Sequence, residues 1–324
     1  MSSRRPITAT PATSGPPSYE EPQRRMGFFT DTSICIGCKA CEVACKEWND
    51  VPAVPMKLTG ESYDNTGSLN ANAWRHVAFV EQRVPVPETL AATELPSGLA
   101  QAATLGGPSD RGPSDEGLSD GDPSDGGPSD GSPDGGQVRW LMSSDVCKHC
   151  TSAACLDVCP TGSLFRTEFG TVVVQEDICN GCGYCVVACP FGVLDQRPED
   201  GRVWKCTLCY DRMRDGLTPA CAQACPTDSI QYGPLDELRE RASRRLGVLE
   251  ERGVSGAQIY GADEGDGVDG MGAFFLLLDD PEVYGLPPDP VVTTRNIGSV
   301  WRSVGAAAAT LAGVVAAVVF GGRR

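Results

Sequence analysis

Residues 147–190 read CKHCTSAACLDVCPTGSLFRTEFGTVVVQEDICNGCGYCVVACP. Two groups of four cysteines stand in this stretch, Cys147, Cys150, Cys155 and Cys159, then Cys179, Cys182, Cys185 and Cys189, and each group closes on a proline. The theme recurs on both sides. Upstream lie Cys35, Cys38, Cys41 and Cys45, spaced C-x2-C-x2-C-x3-C; downstream lie Cys206, Cys209, Cys221 and Cys225, again followed by proline. The four groups use all 16 cysteines of the 324-residue chain.

This spacing suits a cubane [4Fe-4S] cluster, which takes one thiolate for each of its four irons. A loop with Cys at i, i+3 and i+6 wraps three corners while its backbone N–H groups face the sulfides, and the fourth ligand has to arrive from elsewhere. In two-cluster ferredoxins the trailing Cys-Pro supplies it to the neighbouring cluster. Applied here, the inner groups exchange ligands: Cys147, Cys150, Cys155 and Cys189 on one cluster, Cys159, Cys179, Cys182 and Cys185 on another. The outer groups close around them, with Cys35, Cys38, Cys41 and Cys225 on a third cluster and Cys45, Cys206, Cys209 and Cys221 on the fourth. Zinc ribbons use two Cys pairs per metal and have no role for a third Cys at i+6. Disulfides fit worse still, since such dense groups create many competing pairings. The expected fold class is α+β, two intertwined ferredoxin-like modules binding four [4Fe-4S] clusters, followed by a C-terminal transmembrane helix.

The rest of the chain offers little other chemistry. His76 and His149 are the only histidines, and His149, inside the second group, reads as a hydrogen-bonding neighbour of a cluster. Lys39, Lys46, Lys148 and Lys205 lie beside cysteines, where positive charge raises cluster potentials; each is equally readable as a surface lysine. No glycine fingerprint for a nucleotide and no Ser or His constellation for hydrolysis is found, so no catalytic residue and no substrate site is expected. With 43 acidic against 27 basic side chains and a net charge of −16, the chain is a poor nucleic-acid partner.

Residues 1–25 read as a disordered arm rich in Pro, Ser and Thr, and the Arg4–Arg5 pair lacks the apolar stretch that an export signal needs. Residues 96–136 repeat a Gly, Ser and Asp theme and read as a disordered acidic insertion. Beyond the cysteines, Leu235, Leu238, Ala242, Leu246 and Leu249 predict an amphipathic helix ending near Gly253, and AFFLLL at 273–278 predicts a short buried strand. Residues 303–322 carry no charge and are long enough to cross a bilayer as a helix, with Trp301 suited to the interface and Gly305, Ala309 and Gly313 on one face. The expected layout places the first group in 26–95, the other three in 137–233, a helix and strand region at 234–295 and the anchor at 296–324.

The runs TDTSICIGCKACEVACKEWND, CKHCTSAACLDVCP, CNGCGYCVVACPFG and KCTLCYDRMRDGLTPACAQACP, with the late GLPPDP before a terminal apolar helix, resemble the iron–sulfur beta subunit of membrane-bound formate dehydrogenase. The resemblance covers roughly residues 26–95 and 137–324. Subunits of nitrate, dimethyl sulfoxide, polysulfide and tetrathionate type reductases share the four groups. The resemblance implies electron transfer from a molybdenum or tungsten pterin catalytic alpha subunit to a membrane cytochrome b gamma subunit and quinone. It also implies a globular part on the extracytoplasmic face, carried there by the alpha subunit, while the arginines on the two sides of the apolar run fit a cytoplasm-facing complex equally well. None of the sixteen cysteines is replaced, which fits four four-iron clusters.

Overall fold

In the computed structural model, the described residues are 23–54, 60, 63–85 and 136–321. The arm before residue 23 and the acidic repeat at 96–135 lie outside them. Among the described residues the central sheet has four strands: β1 (Met26–Asp31), β8 (Ile230–Pro234), β9 (Gln258–Tyr260) and β10 (Ala273–Leu277), in the order β8-β1-β10-β9. β1 runs parallel to β10, with Phe28 opposite Ala273 and Phe29 opposite Phe274, and antiparallel to β8. The sequence of β10, AFFLL, is apolar throughout because the strand is buried on both faces; all five of its residues are inaccessible. Phe29 and Phe274 stack with ring centroids 5.3 Å apart. Phe274→Ala is expected to cost about 3–5 kcal/mol, read as a lowered denaturation midpoint.

The predicted amphipathic helix, α6, spans Leu235–Glu251 and presents Leu235, Leu238, Ala242 and Leu249 to this sheet, with Leu246 half-buried at its edge. Gly253 follows at φ +78°, its N–H donating to the Glu250 carbonyl, the left-handed C-terminal stop expected there. Arg245 on this helix reaches Asp31 at 2.9 Å, at the end of β1 and just before the first cysteine group. The last two residues of the N-terminal segment are held as well: Arg24 pairs with Asp236 and Glu237, and Arg25 donates to Thr151 and to the His149 carbonyl.

One local architecture occurs twice. Val172–Val174 (β5) leads through a single 3-10 turn to Cys179, and α3 (Tyr184–Ala188) begins five residues after that cysteine. β1 likewise leads through the turn Thr32–Ile34 to Cys35, and α1 (Ala40–Asn49) begins five residues on. The two wider groups place their third cysteine in a short helix, Cys155 in α2 (Ala154–Asp157) and Cys221 in α5 (Ala220–Gln223), while α4 (Tyr210–Arg214) lies between Cys209 and Cys221. Each wider group then runs into the same hexapeptide pattern, CPTGSL at 159–164 and CPTDSI at 225–230. That pattern feeds a strand which pairs with the strand preceding a tight group. β4 (Leu164–Arg166) meets β5, with Leu164 opposite Val174, and β8 meets β1, with Ile230 opposite Thr30. In the inner copy the two strands are joined by a short turn; in the outer copy the two halves are separated by the whole inner copy.

Two smaller pairs complete the set: β6 (Asp195–Gln196) with β7 (Val203–Trp204), and the long ribbon of β2 (Arg75–Pro85) with β3 (Gly136–Val146). The chain divides into two compact units, one combining residues up to 80 with those from 141 onward, the other spanning 81–140. All sixteen cysteines belong to the first.

The last helix, α7, covers Ile297–Gly321 and so begins six residues before the uncharged run. Its 25 residues extend for about 37 Å. Val304, Leu311, Val314 and Val315 are each at least half exposed. By length and composition it is suited to cross a membrane, and an apolar helix with no protein cover needs lipid or another helix around it.

Candidate metal centre

All sixteen cysteines are free thiols, and only Cys38 and Cys182 are exposed. Thiols from different sequence groups lie near one another. Cys35, Cys38, Cys41 and Cys225 line one hollow, with Lys39 and Ser144. Burial raises the Cys45 thiol far above its ordinary value, and the neighbours that add to it are Cys206, Cys221 and Cys209. Burial pushes Cys185 up to about 12, reinforced by Cys159, Cys179 and Cys182. Burial raises the Cys155 thiol, as do Cys147, Cys189 and Cys150, with Lys205 opposing. Cys155 and Cys159, four residues apart, therefore face different sets, and so do Cys41 and Cys45.

The backbone explains how a short loop can do this. Two residues after the first cysteine of every group the chain turns into the left-handed region: Gly37, His149, Gly181 and Leu208 all have positive φ. The turn reverses the local direction of the amides and lets them converge on one side, the arrangement that holds anionic sulfur. Gly37 is also in close approach, since a Cβ there would lie 2.6 Å from both Met142 Sδ and Phe79 Cε1. Gly37→Val combines steric overlap with a backbone cost of about 1–3 kcal/mol; the expected outcome is loss of iron from the Cys35 set first, followed by iron analysis and spectroscopy of the purified variant.

Several polar side chains lie against the sulfurs. Cys41 Sγ and Ser144 Oγ are 3.2 Å apart, and the Asn49 amide lies 3.7 Å from Cys45 Sγ and 3.8 Å from Cys209 Sγ. Thr161 and Thr227 place hydroxyls 3.7 and 3.8 Å from Cys159 and Cys225, equivalent positions in the two hexapeptides. His149 is fully buried and held neutral, because burial and then the charges of Lys205, Arg166 and Arg25 lower its pKa. Its Nδ1 accepts from the Val172 N–H, which places the proton on Nε2.

The four lysines beside cysteines divide into two kinds. Lys148 and Lys205 are 1% exposed. Lys148 pairs with Asp145 and packs on the Phe191 and Phe275 rings, while Lys205 donates to the carbonyls of Val172 and Cys206. Lys39 and Lys46 are partly exposed, Lys39 between Glu42 and Asp64 and Lys46 on two backbone carbonyls. Sequence reasoning missed Arg75, buried beside the outer sets. The available signal was its alternation with the buried Val77 on β2, which puts Arg75 on the inward face.

As a donor set, sixteen thiols in fours suit iron–sulfur clusters. Buried thiols of raised pKa are protonated until iron displaces the proton, so loading releases protons and strengthens as pH rises.

Two family models, each described as a 4Fe-4S dicluster domain, match residues 34–163 and 138–235. The fold and the thiol sets thus define an iron–sulfur electron-transfer protein. The chain is 33% identical over 302 residues to the formate dehydrogenase iron-sulfur subunit of Haemophilus influenzae, covering 92% of this chain and 79% of that one. It is 33% identical over 299 residues to the nitrate-inducible formate dehydrogenase iron-sulfur subunit of Escherichia coli, covering 91% and 83%. The B subunit of the anaerobic dimethyl sulfoxide reductase of Escherichia coli matches at 30% over 218 residues, 67% of this chain and 77% of that one. This polypeptide belongs to the family of formate dehydrogenase iron–sulfur subunits, electron-transferring rather than catalytic.

Proposed function

We propose that this chain carries electrons released from formate by a molybdenum or tungsten pterin catalytic subunit, through four [4Fe-4S] clusters, to a membrane cytochrome b and quinone. The observation that supports the reading is that thiols from different sequence groups lie together: Cys225 lines one hollow with Cys35, Cys38 and Cys41, and Cys45, Cys155 and Cys185 each have a neighbouring thiol from another group. The ligand assignment follows these sets. Two ferredoxin-like modules, one interrupted by the other, account for the repeated strand, turn, helix and hexapeptide. The corresponding layout keeps 26–95 and 137–233 as the interleaved cluster-bearing parts, 234–295 as the flanking helix and strand, and 296–324 as the anchor. The globular part is placed on the extracytoplasmic face.

The sets also fall in a line. Cys206 feels Cys147, joining the inner sets to the outer, and Cys41 feels Cys221, joining the two outer sets. Cys155 and Cys159 share one short helical turn and join the two inner sets. The two end sets are then those of Cys182 and Cys38, which hold the two exposed cysteines. An electron wire needs its ends near the surface and its middle buried, and no bond is made or broken along it.

A dimethyl sulfoxide reductase type of complex is the second reading, favoured only by the match over 67% of the chain, against 91–92% for the formate dehydrogenase subunits. Anaerobic purification through this chain from its native membrane separates them. A co-purifying pterin subunit that reduces dye with formate supports the proposal; one that reacts with dimethyl sulfoxide and not formate overturns the substrate.

A further inference from the structure

We propose that Arg75 is a positioning residue that sets the reduction potentials of the two outer clusters as a pair, through one permanent charge shared between the Cys35, Cys38, Cys41, Cys225 set and the Cys45, Cys206, Cys209, Cys221 set. The inference rests on the four-cluster reading above.

Arg75 is 2% exposed, at the start of β2. Its Nη1 donates to the Ser144 hydroxyl at 3.0 Å and carbonyl at 3.3 Å, and the same hydroxyl is 3.2 Å from Cys41 Sγ. Its guanidinium lies over the Phe28 ring, 5.0 Å from the centroid. Among the described residues no carboxylate pairs with it, and its Nε and Nη2 have no hydrogen-bond partner. A buried cation with neither a counter-ion nor filled donor positions is strongly destabilising in an apolar core. The groups that act on it are the sulfurs of Cys221, Cys41, Cys206 and Cys45 in that order, anionic once they hold iron, and Cys41 and Cys45 of the first sequence group fall one to each set. Of the other buried cations, Lys148 pairs with Asp145, Arg212 donates to the Thr218 carbonyl and the Gln223 side chain, and Lys205, held by two carbonyls, also acts on Cys155 and Cys206. Among the described residues Arg75 is the buried cation with N–H groups left unpaired beside Cys41 and Cys45.

The consequence follows from sign alone. Reduction adds negative charge to a cluster, so a nearby fixed positive charge and N–H donors favour the reduced form and raise the potential. One charge acting on two sites must move both in the same direction. The inner sets, beyond the Cys206 to Cys147 junction, feel it least.

The test is potentiometric titration of the intact membrane complex, followed by electron paramagnetic resonance, for wild type, Arg75→Met, Arg75→Gln and Arg75→Lys, with iron counted in each. In the neutral variants the reduction equilibria of the two outer clusters are expected to fall about tenfold or more, about 59 mV for one electron, with the inner two unmoved and Arg75→Lys restoring most of the loss. Gln keeps a polar side chain in the pocket, so it stands in if Met loses iron. A neutral variant with full iron and unshifted outer potentials overturns the role of Arg75, as does an equal shift in all clusters. Wild-type iron short of four clusters overturns the reading beneath it instead.

Discussion

Replacing Cys182 with Ala is expected to abolish one cluster signal and cut formate-to-quinone electron transfer by at least about 100-fold, since even the groups that merely orient a metal ligand are worth 10–100-fold. The sharper result comes from its companions. Cys159→Ala, altered more than twenty residues upstream, should remove the same signal as Cys182→Ala, whereas Cys155→Ala, altered only four residues from Cys159, should remove a different one. The structure gives the reason: Cys185 is surrounded by Cys159, Cys179 and Cys182, while Cys155 faces Cys147, Cys150 and Cys189. Comparison of the reduced spectra of the three variants checks the exchange directly. Identical losses from Cys155→Ala and Cys159→Ala would mean that each sequence group holds its own cluster.

Ending the polypeptide before Ile297 is expected to separate electron transfer from its destination. The helix from 297 to 321 is apolar and is open from Ile297 to Ala316, and none of the cysteine sets involves it. The segment just before it is tied to the cluster-bearing body by Thr293, donating to the Ala188 carbonyl at 3.2 Å, and by Thr294, donating to Asp157 at 2.6 Å. Removing the helix therefore leaves the body intact. Iron content and formate-driven reduction of a soluble dye should persist, while quinone reduction and membrane retention fall. Unchanged membrane retention and quinone reduction would show that partner contacts alone hold the protein.

What the sequence made legible was decided by spacing. Cysteine spacing identifies a local geometric device, so a grouping into exchanged sets could be proposed from the sequence alone. The helix at 235–251 and the strand at 273–277 were readable because each carries a single strong pattern, a helical stripe and an unbroken apolar run. The pairing of β1 with β8 and β10 was not readable, because strands so distant in the chain leave no local trace of their register. The repeated CPTGSL and CPTDSI hexapeptides were visible as letters, but their meaning depends on the strands they feed. Arg75 escaped for the opposite reason: β2 reads RHVAFVEQRVP, and an arginine next to His76 in a strand that also carries Glu81 and Arg83 reads as solvent-facing until its burial is seen. Lys148 and Lys205 were equally ambiguous, and their burial separates them from Lys39 and Lys46.

The most direct measurement is to add formate to the anaerobically purified membrane complex and follow visible absorption and electron paramagnetic resonance in wild type and in the Cys182→Ala variant. The account predicts that formate bleaches the iron–sulfur absorption and raises reduced-cluster signals, one of which is missing in the variant. Clusters that respond to dithionite but stay oxidised with formate would contradict it.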